Sequence, residues 1–334
     1  MSSPKPLRVA FFGTPELSVP TLDALIASRH EVVAVVSQPD RGRGRGRKLS
    51  PSPVSKHALD AGLPLFRPER VGDPDILEGL SQCAPDLGVV VAFGQFLGRR
   101  LRELPALGYM INAHASLLPK HRGAAPIAQA ILDGDLETGI SIMRIEREMD
   151  AGPVGQILRT QIHERENSAE LAVRLSQLAA QGIVEALDSI VLNEIKWVEQ
   201  DSAHASVAPK LSKEEGRLDW AQSTHTLIRR IHGLAPRPGA FTEYAEGDES
   251  PLVLRILRAQ AAHHSPRGSE APGTLRIVPD APETQRLQVA TGDGWLIPLE
   301  VQRAGAKAMP TASFLRGHPL PDGMIFGRSE LSNG

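Results

Sequence analysis

The sequence predicts an α/β protein in two parts: a first domain with a mostly parallel sheet, and a smaller second domain with a β-barrel. Up to residue 200, apolar runs alternate with amphipathic segments, which is the order of parallel strands joined by helices. After Trp197, short alternating segments are separated by clusters of glycine and proline, a pattern typical of a small barrel. A chain of 334 residues is long enough for each domain to bury its own core.

The chain begins with a strand, a helix and a second strand. Residues 8–12 form an apolar run and residues 31–37 are rich in β-branched side chains, so both are predicted strands. Residues 16–28 carry leucines at helical spacing, and Thr14 is the predicted N-cap of this helix. Gly13 stands alone without a G-x-G-x-x-G pattern, so we infer no nicotinamide dinucleotide site.

Helices and strands continue to alternate through the first domain. Predicted helices cover residues 54–61, 75–83, 126–132 and 168–193, and predicted strands cover residues 63–66, 87–92, 109–113, 138–145 and 154–160. The last helix starts with the capping pattern of Asn167 or Ser168 followed by Glu170. Further strands are predicted at residues 252–257, 273–277, 286–291 and 296–302. We therefore expect a first domain over residues 1–200, a linker over 201–209 and a second domain over 210–330.

The composition indicates a globular protein without a membrane span. Hydrophobic residues make up 41% of the chain, and no apolar run reaches the roughly 18–20 residues that cross a bilayer. The first residues lack the apolar core of a signal peptide. Because Cys83 is the single cysteine, no internal disulfide and no cysteine metal site can form, and a cytoplasmic location is expected.

The net charge and the histidines narrow the classes of partner. With a net charge of −2, nucleic-acid binding must come from local patches. The eleven histidines form no metal-binding pattern. His263 and His264 are adjacent, but they lie in a predicted loop without carboxylates at ligand spacing, so no metal site is predicted there.

The most informative stretch, residues 111–126, follows a predicted strand. Asn112 and His114 are two residues apart, so their side chains point to the same face. An amide donor and a group that exchanges protons near neutral pH therefore lie side by side. The strand stops before Pro119, at the end of the sheet where open α/β proteins bind ligands. For these two residues alone, satisfied polar groups in a loop are the more common case.

A cationic arm, residues 38–53, is the second informative stretch. Its cations are Arg41, Arg43, Arg45, Arg47 and Lys48, and glycines alternate with the arginines. Glycine frees the backbone and like charges repel, so we expect the arm to be extended and unfolded when free. Guanidinium groups suit contacts with phosphates and bases. A solubilising surface loop is the alternative, but the position after the end of a strand favours polyanion binding.

The motif around His114 belongs to a longer pattern. It reads Asn112-X-His114-X-Ser116-Leu117-Leu118-Pro119-X-X-Arg122-Gly123, followed by Met149-Asp150-Ala151-Gly152-Pro153. This pattern resembles the folate-dependent formyltransferase family. The resemblance implies a Rossmann-like formyltransferase domain, 10-formyltetrahydrofolate as co-substrate, tetrahydrofolate as product and no metal. It also implies a catalytic triad of Asn112, His114 and Asp150, and a folate-contacting turn of Ser116, Leu117, Leu118 and Pro119.

Further stretches resemble the members of this family that act on tRNA. Residues 208–220 and 305–309 are similar to their C-terminal OB-fold domain, which binds tRNA. The arm resembles their tRNA-contacting insertion, in which Arg45 looks like the key arginine. The resemblance covers residues 8–327. It implies that a monomer transfers the formyl group to the α-amino group of initiator methionyl-tRNA, for translation initiation and without a membrane partner.

The chemistry of this transfer explains the residue types. An amine attacks an amide-like formyl carbonyl, so the carbonyl oxygen needs a donor such as the Asn112 carboxamide, with His114 as a second donor. Asp150 orients His114 and accepts the proton of the amine, directly or through water. His114, or a water that it holds, protonates the departing N10. Whether His114 or Asp150 is the base is left open at this point.

Several alternatives share part of the pattern. A formyltransferase acting on a sugar-nucleotide amine or on glycinamide ribonucleotide has the same triad, but is not expected to carry both the arm and this second domain. A tRNA- or folate-binding module without catalysis conflicts with the intact triad. A dinucleotide-binding oxidoreductase would need a glycine fingerprint, which this sequence lacks. A hydrolase that releases formate has the same three residues and stays open.

Overall fold

The computed structural model describes residues 5–43, 48–245, 251–262 and 268–327. Its internal contacts divide the chain into two compact units. The first unit consists of Met1–Pro126, Glu137–Thr160 and Ala172–Ala208, and the second consists of Ile127–Leu136, Gln161–Leu171 and Pro209–Gly334. The segment at residues 201–209 is therefore one of several places where the chain passes from one unit to the other.

Up to residue 208, the structure alternates strands and helices. The strands are β1 (Arg8–Gly13), β2 (Glu31–Val36), β3 (Arg41–Arg43), β4 (Lys48–Ser50), β5 (Leu65–Phe66), β6 (Leu87–Val91), β7 (Met110–His114), β8 (Arg122–Gly123), β9 (Glu137–Arg144), β10 (Val154–Gln161) and β11 (Val207–Ala208). The helices are α1 (Val19–Ala27), α2 (Pro53–Asp60), α3 (Pro74–Gln82), α4 (Arg99–Arg102), α5 (Pro126–Asp133) and α6 (Ser168–Val191). Single 3₁₀ turns cover Glu16–Ser18 and Ser202–His204.

The main sheet of the first unit has seven strands in the order β10-β9-β7-β6-β1-β2-β5. The neighbours from β7 to β5 in this order are parallel, and β9 is antiparallel to β7, which confirms the predicted, mostly parallel α/β fold. From β1 the chain builds β2 and β5 on one side and then returns to build β6 and β7 on the other. The topological switch point lies between β1 and β6, where open sheets bind ligands at the carboxyl ends of their strands.

The apolar runs form the core of the first unit. Ala10 and Phe12 of β1 join Val36 of β2 in one buried cluster. Their neighbours Val9 and Phe11 point to the opposite face and are also buried. A parallel sheet covered on both faces gives such continuous apolar strands rather than alternating ones.

Two helix starts test the predicted caps. At α6 the capping pattern is confirmed, because Asn167 Oδ1 accepts a hydrogen bond from the N–H of Glu170 at 3.0 Å and Glu170 Oε2 accepts one from the N–H of Asn167 at 3.1 Å. The prediction that Thr14 caps the first helix is wrong. The α1 helix begins at Val19 after a 3₁₀ turn, and Thr14 Oγ1 donates instead to the carbonyl oxygen of Phe93 at 2.9 Å.

The cationic arm is folded at both of its ends, so the expectation of an extended, unfolded arm is wrong for these parts. Strands β3 and β4 pair antiparallel, with Arg41 opposite Ser50 and Arg43 opposite Lys48. Charges exposed to water repel each other by only about 1 kcal/mol at 4 Å, and backbone hydrogen bonds of the same order hold the two strands together. Arg45 and Arg47 lie outside the described residues.

From residue 209 onward, the chain forms mainly strands. They are β12 (Ala240–Tyr244), β13 (Leu252–Ala261), β14 (Leu275–Ile277), β15 (Leu287–Ala290), β16 (Trp295–Arg303) and β17 (Met309–Pro310), with helices α7 (Thr224–Leu234) and α8 (Thr311–Gly317). The 3₁₀ turns are Glu214–Gly216 and Glu283–Gln285. The sequence pattern predicts β13 to β16, whereas α7, α8, β12 and β17 were not predicted.

The strands of the second unit form one antiparallel sheet in the order β12-β13-β16-β15-β14, with β17 on β16. Register shifts between Ile256 and Ala259 bend β13 against β16, and such bulges curl a sheet. The result is a curled half-barrel, which confirms the predicted OB-like fold. In the described part of the chain, none of the helices has the length and apolarity that a membrane crossing requires.

Candidate active site

The predicted pair of polar residues lies on β7 in the middle of the main sheet. Asn112 pairs with Val90 of β6, and His114 pairs with Ser141 of β9. Because side chains alternate along a strand, Asn112 and His114 share one face. The Asn112 side chain is half-buried and makes no hydrogen bond to another described residue. Its carboxamide is therefore available to a ligand.

Both ring nitrogens of His114 face a fixed partner. Nε2 lies 2.9 Å from the carbonyl oxygen of His121, and Nδ1 lies 3.5 Å from Oδ2 of Asp150. A carbonyl oxygen can only accept, so Nε2 carries a proton and donates it to this bond. Nδ1 is the other ring nitrogen, and it faces the carboxylate of Asp150.

Asp150 reaches His114 from the loop between β9 and β10. Its backbone has a φ of +53°, in the left-handed region that aspartate adopts more readily than most residues. Oδ2 also accepts a hydrogen bond from the N–H of Gly123 at 2.9 Å. Gly123 has a φ of +123°, and a Cβ there would lie 2.6 Å from the carbonyl oxygen of Ala208, so only glycine fits. The structure thus brings Asp150, from the loop between β9 and β10, next to His114 on β7, and the N–H of Gly123 holds the carboxylate there.

The predicted turn from Ser116 to Pro119 is fastened to β9 by a residue that the sequence analysis missed. Ser141 Oγ donates to the carbonyl oxygen of Ser116 at 2.7 Å and accepts from the N–H of Leu118 at 3.1 Å. Ser141 is fully buried. Leu117 and Pro119 stay half-exposed, so they are the part of the turn that a ligand can reach. A lone serine within an apolar strand was the available signal for Ser141.

A polar cleft of about 570 Å³ lies at the switch point between β1 and β6. It is lined by Thr14, Gln38, Pro39, Arg41, Ser52, Glu69, Gly94 and Gln95. Thr14 Oγ1 and Gln38 Nε2 both donate to the carbonyl oxygen of Phe93, which ties β1, β2 and β6 together at this edge. Gly94 and Gln95 follow β6, which pairs directly with β7, so the cleft lies beside the strand that carries Asn112 and His114.

Of the five cations predicted to bind tRNA, Arg41 is the one whose side chain is described. It is exposed, lines the cleft and donates to Gln38 Oε1 at 3.3 Å. For Arg43 and Lys48 only the backbone is described, in β3 and β4. Within the described ranges, no group of three or more His, Cys, Asp or Glu residues is placed to hold a metal ion.

The sequence matches known families over nearly its whole length. Residues 7–187 match the family described as formyl transferase, and residues 210–319 match the C-terminal domain of formyl transferases. A methionyl-tRNA formyltransferase of Thermus thermophilus is 41% identical over 324 residues, covering 96% of this chain and 100% of that protein. A methionyl-tRNA formyltransferase of Methylococcus capsulatus is 43% identical over 314 residues, covering 94% of this chain and 98% of that protein.

Solved structures with low sequence identity share the fold. HypX from Aquifex aeolicus, in complex with tetrahydrofolic acid, superposes with a TM-score of 0.62 at 18% identity and covers 97% of this chain and 51% of its own. WlaRD, a sugar 3N-formyltransferase, superposes with a TM-score of 0.62 at 16% identity and covers 90% of this chain and 99% of its own. At these identities the likeness shows the fold alone.

Proposed function

This chain belongs to the methionyl-tRNA formyltransferases of the folate-dependent formyl transferase family, and from that membership we propose that it transfers the formyl group of 10-formyltetrahydrofolate to the α-amino group of initiator methionyl-tRNA. The product is the formylmethionyl-tRNA that starts translation. The observation that carries the proposal is that Asn112 and His114 share one face of β7 and that Asp150 Oδ2 lies 3.5 Å from His114 Nδ1, in a chain of which 96% matches such an enzyme.

The Asn112 carboxamide is the proposed donor to the formyl oxygen. During attack by the amine, negative charge builds on this oxygen, and a fixed donor there contributes about 10²–10³ in rate. Asn112 is suited to this role because its amide has no partner among the described residues. His114 donates its Nε2 proton to the carbonyl oxygen of His121. We therefore assign the oxyanion contact to Asn112 and proton transfer to His114.

The pair of His114 and Asp150 is the proposed proton shuttle. The amine loses one proton as its bond to the formyl carbon forms, and N10 gains one proton as its bond to that carbon breaks. The two steps balance, so the site needs only to accept a proton and return it. Nδ1 of His114 and Oδ2 of Asp150 face each other at 3.5 Å, and together they offer one shared position for this proton.

The turn of Ser116, Leu117, Leu118 and Pro119 is the proposed folate contact. It follows the catalytic strand directly, and Ser141 holds its backbone in one conformation. A fixed turn places the formyl carbon without the entropy cost of ordering a loop. Tetrahydrofolate is the product that leaves this side, and we propose that no metal takes part.

The cleft at the switch point and the arm are the proposed acceptor side. Arg41 belongs to both, so a strand of tRNA that binds along the arm would continue into the cleft, towards Asn112 and His114. We include Arg43, Arg45, Arg47 and Lys48 in the tRNA-binding set, and we assign the second unit (predicted at residues 210–330) to tRNA binding as well. A cytoplasmic location and a monomeric state stay predictions from the sequence.

The arm is tested by R41A and R45A. Each loses one phosphate-binding cation, so we expect the KM for methionyl-tRNA to rise and its dependence on salt to weaken by about one counterion. The KM for 10-formyltetrahydrofolate stays unchanged. An equal loss for both substrates contradicts an acceptor-specific arm, and an unchanged KM for tRNA in both variants removes these arginines from the interface.

The reaction is tested by following a labelled formyl group from 10-formyltetrahydrofolate. Charged initiator methionyl-tRNA, charged elongator methionyl-tRNA and a sugar-nucleotide amine are offered in parallel. We expect label on the initiator methionyl-tRNA alone. Label on the sugar amine would assign the chain to the sugar formyltransferases, and release of formate without any acceptor would make it a hydrolase.

A further inference from the structure

After α6 the chain returns to the active-site loops that carry His121 and Asp150. This segment, residues 197–208, is here called the strap. Trp197 stacks on the guanidinium of Arg144, whose carbon lies 4.7 Å from the ring centre. Further along the strap, β11 pairs with β8, and β8 begins at the residue after His121. Most of the strap was predicted as a linker, yet it is bonded to the loops of the active site. It is therefore part of the machinery of the first unit.

Gln200 is the strap residue that reaches the loop of Asp150. Its Nε2 donates to the carbonyl oxygens of Asp150 and Gly152 at 2.8 and 2.7 Å. Its Oε1 accepts from Nε and Nη2 of Arg122 at 3.0 and 2.8 Å. A side-chain amide has two N–H donors and two lone pairs on its oxygen, so every hydrogen-bonding position of Gln200 is filled. The orientation of this amide is thereby fixed.

The backbone that Gln200 holds is a strained one. Asp150 has a φ of +53°, and a left-handed conformation costs a non-glycine residue roughly 1–2 kcal/mol. Two hydrogen bonds of about 1 kcal/mol each offset this cost. One of them goes to the carbonyl of Asp150 itself, so Gln200 stabilises the conformation that aims the carboxylate at His114.

The strap also holds the second partner of the His114 ring. Ser206 Oγ accepts a hydrogen bond from the N–H of His121 at 2.9 Å, and the Ser206 carbonyl oxygen accepts one from the N–H of Arg122 at 2.8 Å. The carbonyl oxygen of His121 is the acceptor for His114 Nε2. The partners of both ring nitrogens are therefore attached to one segment of the chain.

We propose that Gln200 is a positioning residue for formyl transfer, which fixes the Asp150 carboxylate against Nδ1 of His114 without touching either substrate. The proposal rests on the function proposed above. Moving a reacting group by about 1 Å costs about 100-fold in rate. Loss of the Gln200 donors therefore lowers kcat by about 100-fold and leaves the KM for each substrate within about twofold.

The test compares three substitutions. Q200M keeps the volume but removes all four hydrogen bonds. Q200E keeps oxygen acceptors for Arg122 and gains an ion pair, but it has no N–H for the two carbonyls. The matched control is Q156M, because Gln156 makes one exposed hydrogen bond to Glu185 at 2.6 Å. We expect low kcat in Q200M and Q200E and wild-type kcat in Q156M, with the unfolding midpoint of each variant measured to show that it is folded at the assay temperature.

A double-mutant cycle separates positioning from general destabilisation. If Gln200 acts through Asp150, adding Q200M to D150N lowers kcat by less than about threefold, because the group being positioned has already lost its charge. Multiplied losses in the double variant, or wild-type kcat in Q200E, overturn the proposal. If the wild-type enzyme transfers no formyl group to methionyl-tRNA, the proposed function is refuted, and the role of Gln200 in formyl transfer is refuted with it.

Discussion

His114 and His232 are buried to almost the same degree, 5% and 3% exposed, but the groups around their rings differ. In the first unit, His114 has a carbonyl oxygen at Nε2 and a carboxylate at Nδ1. In the second unit, Nε2 of His232 accepts a hydrogen bond from the N–H of Ala259 at 3.3 Å. The ring of His114 therefore faces two hydrogen-bond acceptors, whereas Nε2 of His232 faces a donor.

The surroundings of His232 keep it neutral. Burial in the core lowers its pKa from 6.5 to about 4, and the positive charge of Arg258 lowers the pKa as well. A histidine that stays neutral across the physiological range packs in the core and exchanges no proton. Burial alone therefore does not identify a functional histidine, but the charge and hydrogen-bonding type of the groups that face its nitrogens do.

The same substitution at both positions is the strongest way to break this comparison. H114Q removes the proton-exchanging ring, so we expect kcat to fall by about 10²–10⁴-fold with smaller changes in KM. In H232Q the new Oε1 accepts the N–H of Ala259, so kcat stays within about twofold of the wild type. Initial rates of labelled formyl transfer measure both. Equal losses in the two variants would show that the polarity of the partners does not separate the two histidines.

The carboxylate facing His114 is the next test. D150N keeps an oxygen that accepts the N–H of Gly123 but removes the charge beside Nδ1. We expect kcat to fall by about 100-fold while the KM for 10-formyltetrahydrofolate changes by less than about threefold. Single-turnover rates separate the chemical step from binding. Wild-type rates in D150N would remove Asp150 from proton transfer.

The pH dependence of unfolding tests the statement that buried His232 is neutral in the folded protein. Because the pKa of His232 is about 4 when folded and near 6.5 when unfolded, its contribution is complete above pH 6.5 and is lost as the pH falls towards 4. A shift of this size corresponds to about 3 kcal/mol. We expect urea unfolding of the wild type, followed by the fluorescence of buried Trp220 and Trp295, to lose that much stability over this range.

H232Q serves as the control for this titration. The variant has no imidazole to protonate in the unfolded chain, so its unfolding free energy falls less steeply between pH 6.5 and 4. Carboxylates such as Asp293, whose pKa is lowered by the N–H of Thr224, contribute equally to both proteins. Parallel curves for the two proteins would mean that the pKa of His232 is the same in the folded and unfolded states.

The candidate active site was predictable where its signals are local. Strand periodicity placed Asn112 and His114 on one face, and the resemblance supplied Asp150 in a loop between two predicted strands. Gln200 was not predictable, because it lies 50 residues after Asp150 and 78 after Arg122, and a side-chain hydrogen bond over such a distance leaves no periodic pattern in the sequence.

In the second unit, two missed elements did carry local signals. The β12 strand alternates buried and half-buried residues along its length, as a half-covered strand does. The α7 helix has an N-cap at Ser223, whose side chain accepts the N–H of Thr226, and it buries Leu227 and Ile231 four residues apart. The prolines and glycine between the two elements hid both, because a dense turn cluster masks the short elements that it joins.

The strap has a consequence for how a protein of this kind can recombine with others during evolution. The α6 helix ends at Val191, and a recombination point placed there would pass on Asn112, His114 and Asp150 to a new partner while leaving Gln200 and Ser206 behind. The descendant would carry the complete motif, but the contacts that hold Asp150 and His121 against His114 would be lost. A crossover after Ala208 keeps the shuttle and its supports together. The heritable unit of this chemistry therefore extends beyond the last helix of the first unit to the end of β11.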